Sequence, residues 1–132
     1  PNSRSERILF SQGDGCNLKD IFKGYDVVFV QHALETSYDP ASLLRNAISR
    51  LKPSGLLIIL SDYHYQSQHT EQSKWLSGMK INGENLFALE ALRNRLEPKF
   101  NLTSQHELYR VMDESARNFT VDKCQMTAWR MK

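Results

Sequence analysis

The chain has 132 residues, enough for one domain with a core of its own, and its charges nearly balance at +2. The basic residues are scattered, which argues against a nucleic-acid footprint, and no apolar run approaches the ~20 residues of a membrane span. Cys16 and Cys124 are too few for a disulfide framework and point to reduced, cytoplasmic thiols; no signal peptide is visible, and an opening on Pro1 rather than Met suggests a processed or partial chain.

Pro1–Arg7 is polar, and Ile8–Gln12 reads as a short strand. Gly13-Asp14-Gly15 is a turn, and Asn17–Phe22 suits a helical turn. Two short unbroken apolar runs follow, Val27–Val30 and Leu56–Leu60. Unbroken runs suit parallel strands buried on both faces. Between them Asp39 can cap a helix and Pro40 fits its first position. Ala41, Leu44, Ile48 and Leu51 share one helical face, with Arg45, Ser49 and Lys52 outward. Pro53, Ser54 and Gly55 turn the chain into the next strand. The stretch Tyr25–Tyr63 is therefore a β-α-β unit. Ser61–Glu84 is a long polar stretch carrying Trp75, and loops of that length in small domains are commonly functional. Asn85–Leu96 reads as a helix ended by Pro98. Phe100–Tyr109 and Phe119–Met131 read as a closing strand pair. In the last of these, Cys124, Met126 and Ala128 share one face and Gln125, Thr127 and Trp129 the other. The whole is one α/β domain, residues 1–132.

Several candidate residues cluster at strand ends. Gln31 and His32 end the first apolar run. Asp62, Tyr63, His64 and Tyr65 end the second. Parallel strands place both ends on one sheet edge, where open α/β sheets bind ligands. An ordinary half-exposed histidine is the plainer account of His32. Gly13-x-Gly15 is a weak dinucleotide signal, since Leu18 occupies the third glycine position. Asp26 suits a structural role at a strand start. Tyr63 and Tyr65 could enclose a ring by stacking, and Trp75 could be a lid or a packing anchor. His64 and His69 have no third partner at metal spacing, so no metal is expected. Arg110 and Arg117 could pair with a carboxylate, or simply be solvated.

The pattern Gly13-Asp14-Gly15-Cys16-Asn17-Leu18, then Tyr25-Asp26, the Asp39-Pro40 helix and Leu51-Lys52-Pro53-Ser54-Gly55 resembles the second half of a class I S-adenosylmethionine-dependent methyltransferase. A narrower resemblance rests on Gln12–Leu18, Tyr38-Asp39-Pro40, Ser61–Tyr65, Thr70–Gly78, Arg117-Asn118-Phe119 and Ala128-Trp129-Arg130. These are similar to the 4-mercaptohistidine N1-methyltransferase domain at the C-terminus of ovothiol-synthesis enzymes. The resemblance implies a partial Rossmann-like sheet, parallel strands with a C-terminal antiparallel pair. The first two strands and the glycine-rich loop of the full fold are missing. It places Leu56–Leu60 between the Val27–Val30 strand and Phe119–Met131. It also implies unpaired strand edges open to self-association, and a sulfoxide-synthase domain as a fused partner.

The resemblance further implies S-adenosylmethionine as cofactor, held by Asp14, Gly15, Cys16, Gln31 and His32. Asp62, Tyr63, Tyr65, Trp75 and Arg110 would hold a thiol-bearing histidine, a small-molecule substrate. Methyl transfer to an imidazole nitrogen needs in-line geometry and a proton acceptor or a fixed tautomer. His32, Tyr63 and His64 are the candidates for that catalytic role. The alternative is a non-catalytic docking or dimerisation module.

Overall fold

A computed structural model describes residues 8, 10–76, 80–81, 84–85 and 88–132. Its elements are β1 (Tyr25–Gln31), α1 (Pro40–Ser49), β2 (Leu51–Ser61), a 3-10 turn (Gln72–Lys74), β3 (Lys80–Ile81), β4 (Glu84–Asn85), α2 (Ala88–Leu96), β5 (Phe100–Asp113) and β6 (Phe119–Met131). The main sheet runs β1-β2-β6-β5. β1 and β2 are parallel, while β6 pairs antiparallel with both β2 and β5. The Leu56–Leu60 segment thus lies between β1 and β6, as the motif order predicts. β3 and β4 form a separate two-stranded pair. No helix among the described residues is long and apolar enough to cross a membrane.

The α1 cap forms as its residues dictate. Pro40 stands in the first turn, and the Asp39 carboxylate accepts from the Ser42 N–H (3.3 Å) and the Ser42 hydroxyl (2.8 Å). Leu43, Leu44 and Ala47 are buried, with Ala41 and Ile48 half-buried beside them. The buried stripe is thus turned slightly from the Ala41–Leu44–Ile48 face. Those Ser42 bonds hold Asp39 below the usual carboxylate range. Because the folded value is lowered, the cap contributes above the unfolded carboxylate pKa of about 4 and is lost as pH falls through the folded value. Asp39→Ala is expected to cost about 1 kcal/mol at neutral pH, the usual worth of such a cap. Urea midpoints of the two proteins should converge once the pH falls below the lowered folded value of Asp39.

The core lies on one face of the sheet. Val30, Leu57, Ile59 and Trp129 form a single cluster with Leu43, Leu44 and Ala47 of α1 and Leu92 and Leu96 of α2. Along β2, burial alternates. Gly55, Leu57, Ile59 and Ser61 are buried, whereas Leu56, Ile58 and Leu60 are half-buried. On β1, Val27 and Phe29 are 51% and 49% exposed. Their partners are Leu56 and Ile58, on the face turned away from the cluster. The expectation of burial on both faces is therefore corrected. Both described helices contribute to the same core cluster, so only one face of the sheet is covered by helices among the described residues. Asp26 is exposed and ion-paired with Lys52.

Three local expectations also change. Ile8 and residues 10–12 carry no strand, and 9 lies outside the described residues. A strand needs a ladder neighbour, and among the described residues none pairs with Ile8 or residues 10–12. Asn17–Phe22 forms separate turns (Asn17 N–H to Asp14 O, 3.0 Å; Phe22 N–H to Lys19 O, 3.2 Å) rather than helix. It is tied down by α1 instead. Asn46 Nδ2 donates to the Cys16 carbonyl (2.9 Å), and Arg50 Nη2 donates to the Leu18 carbonyl (2.9 Å). Asn46 and Arg50 are four residues apart and so share one side of the helix end. Finally, α2 starts at Ala88 rather than Asn85, which lies in β4; Leu86 is outside the described residues.

Tight packing shapes the turn before the β2 run. A Cβ on Gly55 would stand 2.9 Å from both Leu51 Cδ2 and the Lys52 carbonyl oxygen, so only glycine passes there. Ser54 immediately before it has φ 66°.

Candidate functional site

The parallel pairing of β1 and β2 brings their carboxyl ends together. His32 N–H donates to the Leu60 carbonyl at 2.7 Å, one residue past the end of β1. His32 and Tyr63 both leave their strands in the left-handed region, at φ 49° and 55°. Neither is glycine, and such conformations persist only where surrounding bonds enforce them. The enforcing bonds run through Glu35. Its carboxylate lies 3.1 Å from His32 Nδ1 through Oε1. Its Oε2 accepts from the Ser61 hydroxyl at 2.6 Å. Ser61 Oγ in turn accepts from the Tyr63 N–H at 2.9 Å. Glu35 and Ser61 are both buried, at 6% and 0% exposure.

Two members of this network, His32 and Glu35, form one wall of a cavity of about 270 Å³. His32, Glu35, Thr36, Asp62, His64, Gln66, His69 and Arg110 line it. Arg110 comes from β5, across the sheet. Its Nη2 donates to Asp122 at 2.6 Å and reaches Asp62 at 3.5 Å. Asp122 raises the Arg110 guanidinium further above its ordinary range, so it is a permanent cation at the cavity. Asp62 also accepts from the His64 N–H at 2.9 Å, closing the turn after β2. Among the described residues no group of three His, Cys, Asp or Glu is placed to hold a metal ion.

The aromatic residues take other positions. Tyr63, Tyr65 and Trp75 are not among the cavity-lining residues. Among the described residues, the buried hydroxyls of Tyr63 and Tyr65 have no hydrogen-bond partner. Burial, followed by the Glu35 charge, pushes the Tyr63 hydroxyl up; burial does the same to Tyr65. Trp75 stacks on Tyr65 with centroids 6.2 Å apart, and its Nε1 donates to the Thr70 carbonyl at 3.0 Å. Thr70 is itself buried and bonded to the Ser37 carbonyl. These rings thus fix the loop after β2 to the domain. Arg117 is exposed in the turn between β5 and β6.

A second space lies beside the first. It is an apolar groove of about 530 Å³ along β1, lined among others by Gly15, Leu18, Phe22, Gln31, Ala33 and Leu43. Gln31 and His32 are consecutive at the end of β1; Gln31 lines the groove and His32 the cavity. Asp14 and Cys16 flank Gly15 in sequence but are not among the groove-lining residues. Asp14 accepts from the Cys16 N–H (2.9 Å) and the Tyr38 hydroxyl (2.6 Å), which pushes Tyr38 up to about 12. Cys16 Sγ donates to the Asp39 carbonyl at 3.3 Å, and burial raises its thiol pKa. Sequence reading weighed neither Glu35 nor Ser61. The available signal was a carboxylate three residues after His32 and a hydroxyl next to Asp62.

No family model matches the sequence, and no curated protein matches it. Solved structures do match in fold. One is a protein studied for conversion of a disulfide bond into a thioacetal group during echinomycin biosynthesis. It has TM-score 0.63 and 13% identity, over 98% of this chain and 59% of that one. The N-methyltransferase NodS from Bradyrhizobium japonicum matches at TM-score 0.54 and 16% identity, over 98% of this chain and 64% of its own. The fold is a partial Rossmann-like methyltransferase fold. A third match is a SAM-dependent methyltransferase of Thermotoga maritima, described as a possible histamine N-methyltransferase. Its TM-score is 0.54 at 15% identity, covering 98% of this chain and 67% of that one. The chain therefore spans roughly three fifths to two thirds of the length of these structures.

Proposed function

We propose that this chain forms the C-terminal part of a S-adenosylmethionine-dependent N-methyltransferase acting on the imidazole of a thiol-bearing histidine, as in ovothiol synthesis. The supporting observation is the pair of spaces divided at Gln31 and His32. The apolar groove fits the adenine end of the donor. Its walls are apolar, and Gly15 lies so close to Leu43 that a Cβ would stand 3.1 Å from Leu43 Cδ1. Asp14, Gly15, Cys16 and Gln31 would hold that end. When bound, the donor supplies a methyl group activated by its sulfonium charge.

The cavity fits a small amphoteric acceptor. Arg110 offers a cation for a carboxylate, and Asp62 an anion for an ammonium group. His32, held by Glu35, is placed to take the proton that an imidazole N–H loses on methylation. His64 and His69 complete a polar wall. Among the similar structures, the Thermotoga protein's description names histamine, another imidazole-bearing amine. Tyr63, Tyr65 and Trp75 contribute by holding the loop that covers the strand ends.

Two measurements test the reading. The full-length enzyme should transfer labelled methyl to 4-mercaptohistidine and not to histidine lacking the thiol. Calorimetric titration of this chain alone should show donor binding weaker than micromolar. Among the described residues no glycine-rich loop faces the groove. Transfer confined to an acceptor without an imidazole would sink the substrate assignment. Micromolar binding by the chain alone would show that the groove suffices for the donor.

The exposed Val27 and Phe29, on a strand whose outer edge has no partner among the described residues, favour a second reading. On that reading the chain is a docking or dimerisation module without catalysis. A concentration-dependent dimer with no methyl transfer in any context would favour it.

A further inference from the structure

The strongest unassigned feature is the buried wire Tyr63 N–H, Ser61 hydroxyl, Glu35 carboxylate, His32 imidazole. Each bond in it has a direction. The Tyr63 amide can only donate, so it occupies a lone pair of Ser61 Oγ. Ser61 then spends its single proton on Glu35 Oε2. As a carboxylate, Glu35 only accepts, so its other oxygen must receive a proton from His32 Nδ1, 3.1 Å away. A neutral His32 is thereby held as the Nδ1–H tautomer, and Nε2 keeps the ring's lone pair. Thr36 adds a brace, since its hydroxyl donates to the His32 carbonyl at 3.2 Å.

We propose that Glu35 is a positioning residue that fixes His32 in the Nδ1–H tautomer, leaving Nε2 as the proton acceptor of the cavity. The catalytic half of this proposal rests on the methyltransferase reading above. In that reaction the acceptor nitrogen forms its bond to the methyl carbon as the sulfur–methyl bond breaks. The electron pair of the broken bond stays on sulfur, leaving a neutral thioether. The proton on that nitrogen passes to His32 Nε2 and its N–H bonding pair becomes the new N–C bond, and the Glu35 carboxylate offsets the charge of the His32 imidazolium. The two left-handed strand ends, His32 and Tyr63, are both bonded into this wire.

The direct test is nitrogen NMR of the 132-residue chain labelled in histidine, with His32→Gln used to assign the ring signals. Wild type should show His32 in the Nδ1–H form by at least about tenfold over the other, the bias expected of a charge-assisted bond. Glu35→Gln, which keeps the volume, should erase most of that excess. Ser61→Ala, which frees one carboxylate oxygen but leaves the bond to His32, should erase less of it. A wild-type ring protonated on Nε2, or a Glu35→Gln ring with unchanged tautomer, overturns the proposal. In the full-length enzyme Glu35→Gln should lower kcat about 10- to 100-fold with KM little changed, as losses of orienting partners do. It should have no further effect in a His32→Gln background. A tautomer change without loss of kcat would overturn the catalytic half. Loss of tautomer bias in a protein that transfers no methyl group would instead overturn the function reading and keep the assignment of Glu35.

Discussion

Trp129→Ala is expected to destabilise the chain by about 4 kcal/mol, the middle of the range for deleting a buried aromatic side chain. Trp129 is fully buried in β6, opposite Leu57 of β2 and Leu102 of β5. It sits where all four strands of the main sheet and both helices contribute to one cluster. Its Nε1 donates to the Thr127 hydroxyl at 2.9 Å, and Thr127 is itself fully buried. The substitution therefore leaves a large void and a buried hydroxyl that has lost a donor. A domain of this size has only about 5–15 kcal/mol to lose. Urea unfolding should show the midpoint falling by roughly 2 M, given m-values of about 1–3 kcal/mol/M. Trp129→Phe, which keeps most of the volume, should lose less than half as much. A drop below about 1 kcal/mol for the alanine variant would mean that the sheet repacks around the gap and that Trp129 is not the centre of the core.

His32→Gln in the full-length enzyme is expected to lower kcat for methyl transfer by about 10²–10³-fold, the usual worth of a positioned general base. Glutamine can still bond Glu35, so the strand end should hold its shape and KM should change little. The same substitution at His64 or His69 is expected to act mainly on KM. Neither ring is oriented by a buried carboxylate. Among the described residues, the His64 backbone, not its ring, bonds Asp62, and the His69 Nε2 bond is to Gln68 at 3.2 Å. Tyr63→Phe is a useful contrast, because its hydroxyl is buried and held protonated at neutral pH. If His64→Gln cost more in kcat than His32→Gln, the proton acceptor would be His64 and the role given to the Glu35 wire would fail.

Particular residues show how much was legible beforehand. Asp39, Pro40 and the apolar spacing after them announce α1, because a cap and a first-turn proline act over a few bonds. Phe119–Met131 has the bounds of β6, since its alternating pattern ends at charged or polar residues. The resemblance carried by Asp26, Asp39-Pro40 and Pro53-Ser54-Gly55 also placed β2 between β1 and β6. The misreadings have one cause. The run Val27–Val30 predicts burial on both faces, and Ile8–Gln12 a strand. An unbroken apolar run gives a segment's preference, but not what lies against it.

The site divides the same way. His32, Asp62 and His64 could be picked out because strand ends of a β-α-β unit converge. Glu35 and Ser61 could not, since neither residue type is unusual alone. Their meaning arises only when residues 26 positions apart meet at 2.6 Å. Likewise, Arg110 reaches the cavity through the β5–β6–β2 ladder, and Trp75 stacks on Tyr65. Caps, turns and strand tendencies are settled by atoms a few residues apart, so they are written in the order of the chain. Which carboxylate orients which histidine, and which apolar face finds a cover, are contacts between distant segments. Those exist only once the sheet has brought the segments together.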